Sequence, residues 1–123
     1  MKYIKKRINS FRCAFQGISS LFKETPNFLI QLAGAIVVLL MGLFFRISNV
    51  EWLILVLLIG CILSQEAINS ALENLSDYAC KKEIHPTIKK VKDLSAAAVL
   101  IMAMAALVVG VTIFLPRIVL LFE

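Results

Sequence analysis

The chain has 123 residues, of which 60% are hydrophobic and 17% charged, and 13 Lys and Arg against eight Asp and Glu give it a net charge of +5. Soluble domains carry about 45–50% apolar residues, and a chain this short has too little interior to hide the excess, so a soluble globular enzyme and a disordered chain are both excluded. A nucleic-acid binder is also basic, but it does not carry three long apolar runs; what remains is a small integral membrane protein, a single domain over residues 1–123.

Apolar residues first recur at Ile4, Ile8, Phe11, Phe15, Ile18 and Phe22, spaced alternately four and three, with Lys5, Lys6, Arg7, Arg12 and Lys23 between and beyond them. That pattern is one face of a basic amphipathic helix over residues 4–23, lying on the membrane surface, rather than a cleavable leader. The cluster Glu24-Thr25-Pro26-Asn27 ends or bends it. Residues 28–45 form the first apolar run, broken only by Gln31, and Arg46 to Glu51 form a short polar connection. A second span covers about 52–72, opening at the interfacial anchor Trp52 and turning polar at Ser64 and Gln65. A third covers 94–115 and stops at Pro116. Each run approaches or exceeds the ~20 residues that cross a ~30 Å hydrocarbon core. The predicted fold is an all-α membrane protein with three transmembrane helices plus an N-terminal amphipathic surface helix.

Basic residues predict orientation. Lys2, Lys5, Lys6, Arg7, Arg12 and Lys23 precede the first span, and Lys81, Lys82, Lys89, Lys90 and Lys92 lie between the second and third; the opposite side has Arg46 and Arg117. The positive-inside rule places the N-terminus and the 76–93 loop in the cytoplasm and the C-terminus outside, in a multi-pass protein of the plasma (inner) membrane. Cys13, Cys61 and Cys80 are odd in number and lack metal-site spacing, so they read as reduced thiols or packing residues.

The chemistry-bearing segment closes the second span. At ~100° per residue, Glu66, Asn69, Ser70, Glu73 and Asp77 share one helix face within roughly 100° of arc. Glu66 lies about 14 residues, or ~21 Å, beyond Trp52, inside the hydrocarbon but in its cytoplasmic third. An ionisable group there costs at least ~2.5 kcal/mol unless paired, wetted or bound to a cation. A row of three carboxylates adds mutual repulsion, which a divalent cation relieves. Magnesium suits such a row, because it takes one or two carboxylates and completes its shell with phosphates and water. The plainer reading is that these residues only glue helices together, but glue needs amides and hydroxyls more than acids.

A second cluster, Lys89-Lys90-Val91-Lys92-Asp93, opens the third span at the same boundary. Lysines neutralise phosphates there, and Asp93 suits a metal or a ligand hydroxyl; the plainer reading makes Lys92 a membrane anchor and Asp93 a helix N-cap. Ser95 to Ala98 are small and admit a neighbouring helix closely. No glycine-rich phosphate loop is present.

The run Glu66-Ala67-Ile68-Asn69-Ser70-Ala71-Leu72-Glu73, then Asp77, then Lys92-Asp93 followed by Ala96-Ala97-Ala98-Val99, resembles the prokaryotic diacylglycerol kinase/undecaprenol kinase family. Phe11, Phe15 and Gly17, Asn27-Phe28, Glu51-Trp52, His85-Pro86 and Phe114-Leu115-Pro116 extend the resemblance over nearly the whole chain, and several of these look more like the undecaprenol branch. The resemblance implies a homotrimer with active sites between subunits at the cytoplasmic face. It implies an ATP-dependent, magnesium-dependent kinase that phosphorylates a lipid alcohol, undecaprenol before diacylglycerol. It makes Glu66 the catalytic base and Glu73 the metal ligand, with Asn69 and Asp77 supporting the site and Lys92 and Asp93 contacting nucleotide. Glu83 and His85 are carried as further nucleotide-binding candidates, His85 mainly as a loop residue before Pro86.

Three departures stand out. Where the family has a second metal-binding Glu three residues before the Phe that opens span one, this chain has Thr25, and Glu24 stands one place earlier as the substitute. A family His is Gln31 here, and the loop between Asp77 and Lys92 is one residue longer. A proton-coupled transporter or a non-catalytic subunit is the contrasting reading. A transporter places its acid near the bilayer midplane, whereas every acid here clusters toward one face.

Overall fold

The computed structural model describes residues 1–81, 83 and 85–123. Lys82, counted above among the cytoplasmic lysines, and Ile84 of the lengthened loop lie outside the described residues. Four helices follow one another: α1 (Lys2–Glu24), α2 (Pro26–Phe45), α3 (Asn49–Cys80) and α4 (Pro86–Leu121). The last three are long and apolar enough to cross a membrane. The expected architecture is therefore the observed one.

Every residue of α1 except Leu21 is exposed, including its apolar face at Ile4, Ile8, Phe11 and Phe15. An unpartnered apolar stripe beside a basic one is what an interfacial helix offers a bilayer. Thr25 separates α1 from α2 in an extended conformation, because a residue before proline is steered out of the helical region. Pro26 then starts α2, where its missing N–H costs nothing. Phe22 packs edge-on against Phe28 across this corner, with ring centroids 5.2 Å apart.

Arg46, in the left-handed conformation at φ 50°, closes α2, and the Ile47 amide returns to the Gly42 carbonyl at 3.3 Å. Ser48 and Glu51 then cap α3 reciprocally: Ser48 Oγ accepts from the Glu51 amide at 3.2 Å, and Glu51 Oε1 accepts from the Ser48 amide at 3.0 Å. The Glu51 carboxylate also receives both arms of Arg117 from α4, each at 2.8 Å. Arg117 NH1 donates in addition to the Ile113 carbonyl at 2.6 Å. α4 runs through Pro116 to Leu121, so the proline does not stop the helix as its sequence position suggested. Proline removes the backbone donor that would reach the Thr112 carbonyl, and the guanidinium bonds the carbonyl next to it, that of Ile113.

The apolar runs are the middles of longer helices. α3 continues to Cys80, where Lys81 ends it in the left-handed conformation, and α4 begins at Pro86. The stretch read as a 76–93 loop is thus mostly helix, joined by the short connection 81–85. Past the membrane a helix loses its hydropathy signal but keeps its hydrogen bonds. α3 and α4 pack antiparallel along their length, with α2 leaning on α3. The buried apolar cluster Ile47, Leu55, Ile113 and Phe114 sits at the Trp52 end. Toward the other end the buried polar residues are Glu66, Asn69, Ser76 and Ser95. The three cysteines are free.

Candidate active site

Glu66 is 2% exposed, the most deeply buried large side chain of the described residues. It lies on the inner part of α3, and the face it shares with Asn69 turns toward α2 and α4. From α2, Gln31 Nε2 donates to Glu66 Oε2 at 3.3 Å. From α4, Ser95 donates its hydroxyl to Asn69 Oδ1 at 2.6 Å, and both of those residues are buried. Burial of a carboxylate is costly, and one amide donor offsets little of that cost. A buried acid with so little compensation is a candidate for chemistry.

Farther along α3 the stripe reaches the surface. Glu73 and Asp77 are exposed. Glu24, Thr25, Pro26 and Asn27 from the α1–α2 corner face Glu66, Ser70, Glu73 and Asn74 across a recess of about 310 Å³. The hydroxyls of Thr25 and Ser70 are 3.5 Å apart at its wall. The displaced Glu24 and the Thr25 beside it therefore both reach the recess that holds Glu66 and Glu73.

Lys92 of α4 pairs with Asp77 of α3, closing the gap between the helices. Asp93 is one residue on, about 100° around α4. It pairs with Lys89 at 2.7 Å on an exposed face, away from Asp77. It lies well inside α4, so it is not the N-cap that the plainer reading made it. That position is His85, whose Nδ1 accepts from the Thr87 amide at 3.2 Å. Glu83 is exposed, and its amide returns to the Cys80 carbonyl at 2.8 Å. Glu83 and His85 share a second recess with Ala79, Cys80 and Thr87.

Among the described residues, no three acidic, His or Cys side chains converge closely enough to hold a metal on their own. Two carboxylates, Glu24 and Glu73, with the hydroxyls of Thr25 and Ser70, do share one recess. That donor set fits a magnesium ion completed by phosphates and water, and falls short of a self-sufficient metal cage. Sequence reasoning did not find the Gln31–Glu66 and Ser95–Asn69 bonds. A signal for the first existed, since Gln31 is the lone polar interruption of the 28–45 run.

Residues 12–114 match the prokaryotic diacylglycerol kinase family. The chain belongs to that family. It is 36% identical over 114 residues to the undecaprenol kinase of Bacillus subtilis (strain 168), a match covering 93% of this chain and 92% of that protein. It is 32% identical over 107 residues to the diacylglycerol kinase of Synechocystis sp., covering 87% of this chain and 61% of that longer protein. The chain is accordingly a lipid kinase of the membrane, with ATP as the phosphate donor its family implies. The transporter and non-catalytic readings are set aside.

Proposed function

We propose that this kinase transfers the γ-phosphate of ATP to the hydroxyl of undecaprenol, making undecaprenyl phosphate, with magnesium at Glu24 and Glu73. The observation that carries the reading is the buried Glu66 carboxylate at the head of a recess it shares with Glu24 and Glu73. The near end-to-end similarity to an undecaprenol kinase favours the polyprenol over diacylglycerol as acceptor.

Glu66 takes the proton from the lipid hydroxyl. The freed oxygen forms its bond to the γ-phosphorus, the bond from that phosphorus to the β,γ-bridging oxygen breaks, and ADP leaves with the electron pair. Magnesium, when bound, would neutralise the phosphate charge between Glu24 and Glu73. Asn69 keeps its stretch of α3 in register with α4, so Glu66 stays aimed. Lys92 faces the phosphates, and Asp77 orients it. Glu73 to Cys80 is about 10 Å along the helix, so a nucleotide with its phosphates at Glu73 reaches Glu83 and His85 with its base. Asp93, on the neighbouring face of α4, suits a nucleotide hydroxyl. The chemistry is positioning and charge neutralisation.

The recess opens at the end of the fold that carries most of the lysines, so the N-terminus and the α3–α4 connection face the cytoplasm and the C-terminus lies outside. The subunits form a homotrimer, which would cover part of the large apolar surface that one chain leaves exposed.

Labelled ATP, magnesium and purified protein, given undecaprenol and diacylglycerol separately, test the function. Labelled polyprenyl phosphate, absent with Glu66→Gln, supports it. Phosphatidic acid as the main product overturns the choice of lipid, and no transfer by folded protein overturns the assignment of the site. Mixed oligomers of Glu66→Gln and Asp93→Asn chains regain activity if sites are shared between subunits; uniform inactivity refutes that sharing.

A further inference from the structure

Gln31 stands behind Glu66. It lies on the inner row of α2, between the buried Phe28 and Ala35, and its Nε2 donates to Glu66 Oε2 at 3.3 Å. Glu66 lines the recess that holds Glu24 and Glu73, and Gln31 does not. The amide is therefore placed to touch the base and not the phosphates. Its own Oε1 is buried and has no partner among the described residues. The opposite amide orientation would set two acceptors against each other, so the oxygen faces away from the carboxylate.

A buried carbonyl without a donor is a standing cost, and a methionine would fill the same space on α2 without it. Packing therefore does not account for a glutamine here; the bond to Glu66 does. The Glu66 side chain has several torsions, so a fixed α3 backbone still leaves its carboxylate free to swing. The Ser95–Asn69 bond settles that backbone against α4. We propose that Gln31 is a positioning residue for the phosphoryl transfer: by holding Oε2 from α2, it keeps Glu66 in the rotamer that presents its other oxygen to the acceptor hydroxyl. This rests on the reading of Glu66 as the base. An amide suits the task because it donates without carrying an ionisable proton that competes with the one being moved. The aim of the carboxylate is thus set from three helices: α3 carries it, α4 fixes its level and α2 its rotation.

Gln31→Met keeps the length of the side chain and removes the donor and the orphaned carbonyl together, so the unfolding midpoint moves little. kcat for undecaprenol falls by about tenfold to a hundredfold, while KM for ATP and for the lipid stay within about twofold. Gln31→His, whose ring carries an N–H at a similar reach, recovers most of kcat. In a Glu66→Asp background the shorter carboxylate no longer meets Gln31, and Gln31→Met costs nothing further. Wild-type kcat in Gln31→Met overturns the proposal. So does a loss as large in Gln31→His, or an equal loss in the Glu66→Asp background, which would show that the amide acts elsewhere. Activity retained by Glu66→Gln, or no transfer by wild-type protein, overturns the reading of Glu66 instead. The contact is also read without turnover: the infrared carboxyl band that Glu66→Gln abolishes shifts in Gln31→Met. An unmoved band means that the bond is not made and overturns the proposal whatever the activity.

Discussion

Ser95 of α4 donates its hydroxyl to Asn69 of α3 at 2.6 Å, in a buried contact one turn from Glu66. Two helices packed by apolar contacts alone can rotate slightly against each other. A buried directional bond at this level removes that freedom where the carboxylate must be aimed.

Ser95→Ala leaves the Asn69 carbonyl buried without its donor. The expected loss of stability is about 1–3 kcal/mol, read from the unfolding midpoint in mixed micelles. kcat falls further than the folded fraction explains, because Glu66 loses its aim. Wild-type kcat in the folded variant would show that the bond only holds the helices.

Lys92 and Asp77 form an ion pair at the lysine-rich end of the bundle, where the recess opens. Lys92→Met raises KM for ATP about tenfold, a typical cost of losing one phosphate contact. Exchanging the charges, with Asp77→Lys and Lys92→Asp together, restores the unfolding midpoint but not ATP affinity. Recovery of both would reduce Lys92 to a structural partner.

Glu24 stands one residue from the place where the family carries its second acidic ligand, yet it lines the recess with Glu73. Glu24→Gln therefore raises the magnesium concentration for half-maximal rate several-fold, and Glu73→Gln raises it more. Moving the carboxylate with Glu24→Thr plus Thr25→Glu recovers tight magnesium dependence. An unaltered magnesium titration in Glu24→Gln removes this residue from the site.

How much of this was legible from the sequence varies along the chain. The three spans and the surface helix were, because hydropathy and helical period report burial in lipid directly. So was the shared face of Glu66, Asn69 and Glu73, since it follows from spacing within one helix. The partners of those residues were not. Gln31 lies 35 residues from Glu66, and Ser95 lies 26 from Asn69. Such pairings depend on the rotation of one helix against another, which no local pattern encodes. The full helix lengths are hidden for a related reason: Ser76 to Cys80 and Pro86 to Asp93 are too polar to read as membrane, and hydropathy reports burial in lipid rather than helix.

The Glu51–Arg117 pair ties the far ends of α3 and α4 together, with Glu51 also capping α3. Arg117→Met lowers the unfolding midpoint without altering kcat or the KM for ATP, since the pair lies about 22 Å along α3 from Glu66. A change in KM at full folding would mean that the two ends communicate.

Gly42 lets α2 approach the single tryptophan. A Cβ there would sit 2.7 Å from the Trp52 ring, so Gly42→Ala pushes the indole aside. The expected cost is about 1–3 kcal/mol, with a shift in tryptophan emission as its direct signature. An unmoved spectrum would mean that the backbone yields instead.

The buried apolar cluster occupies one half of the bundle and the buried polar groups the other. Adhesion and chemistry are therefore written into different stretches of the same helices. A lineage can lengthen, shorten or repack Ile47, Leu55, Ile113 and Phe114 to suit a thicker or thinner bilayer while the acids keep their places. Adaptation to a new membrane and retention of an old reaction become separable problems, solved by separate residues.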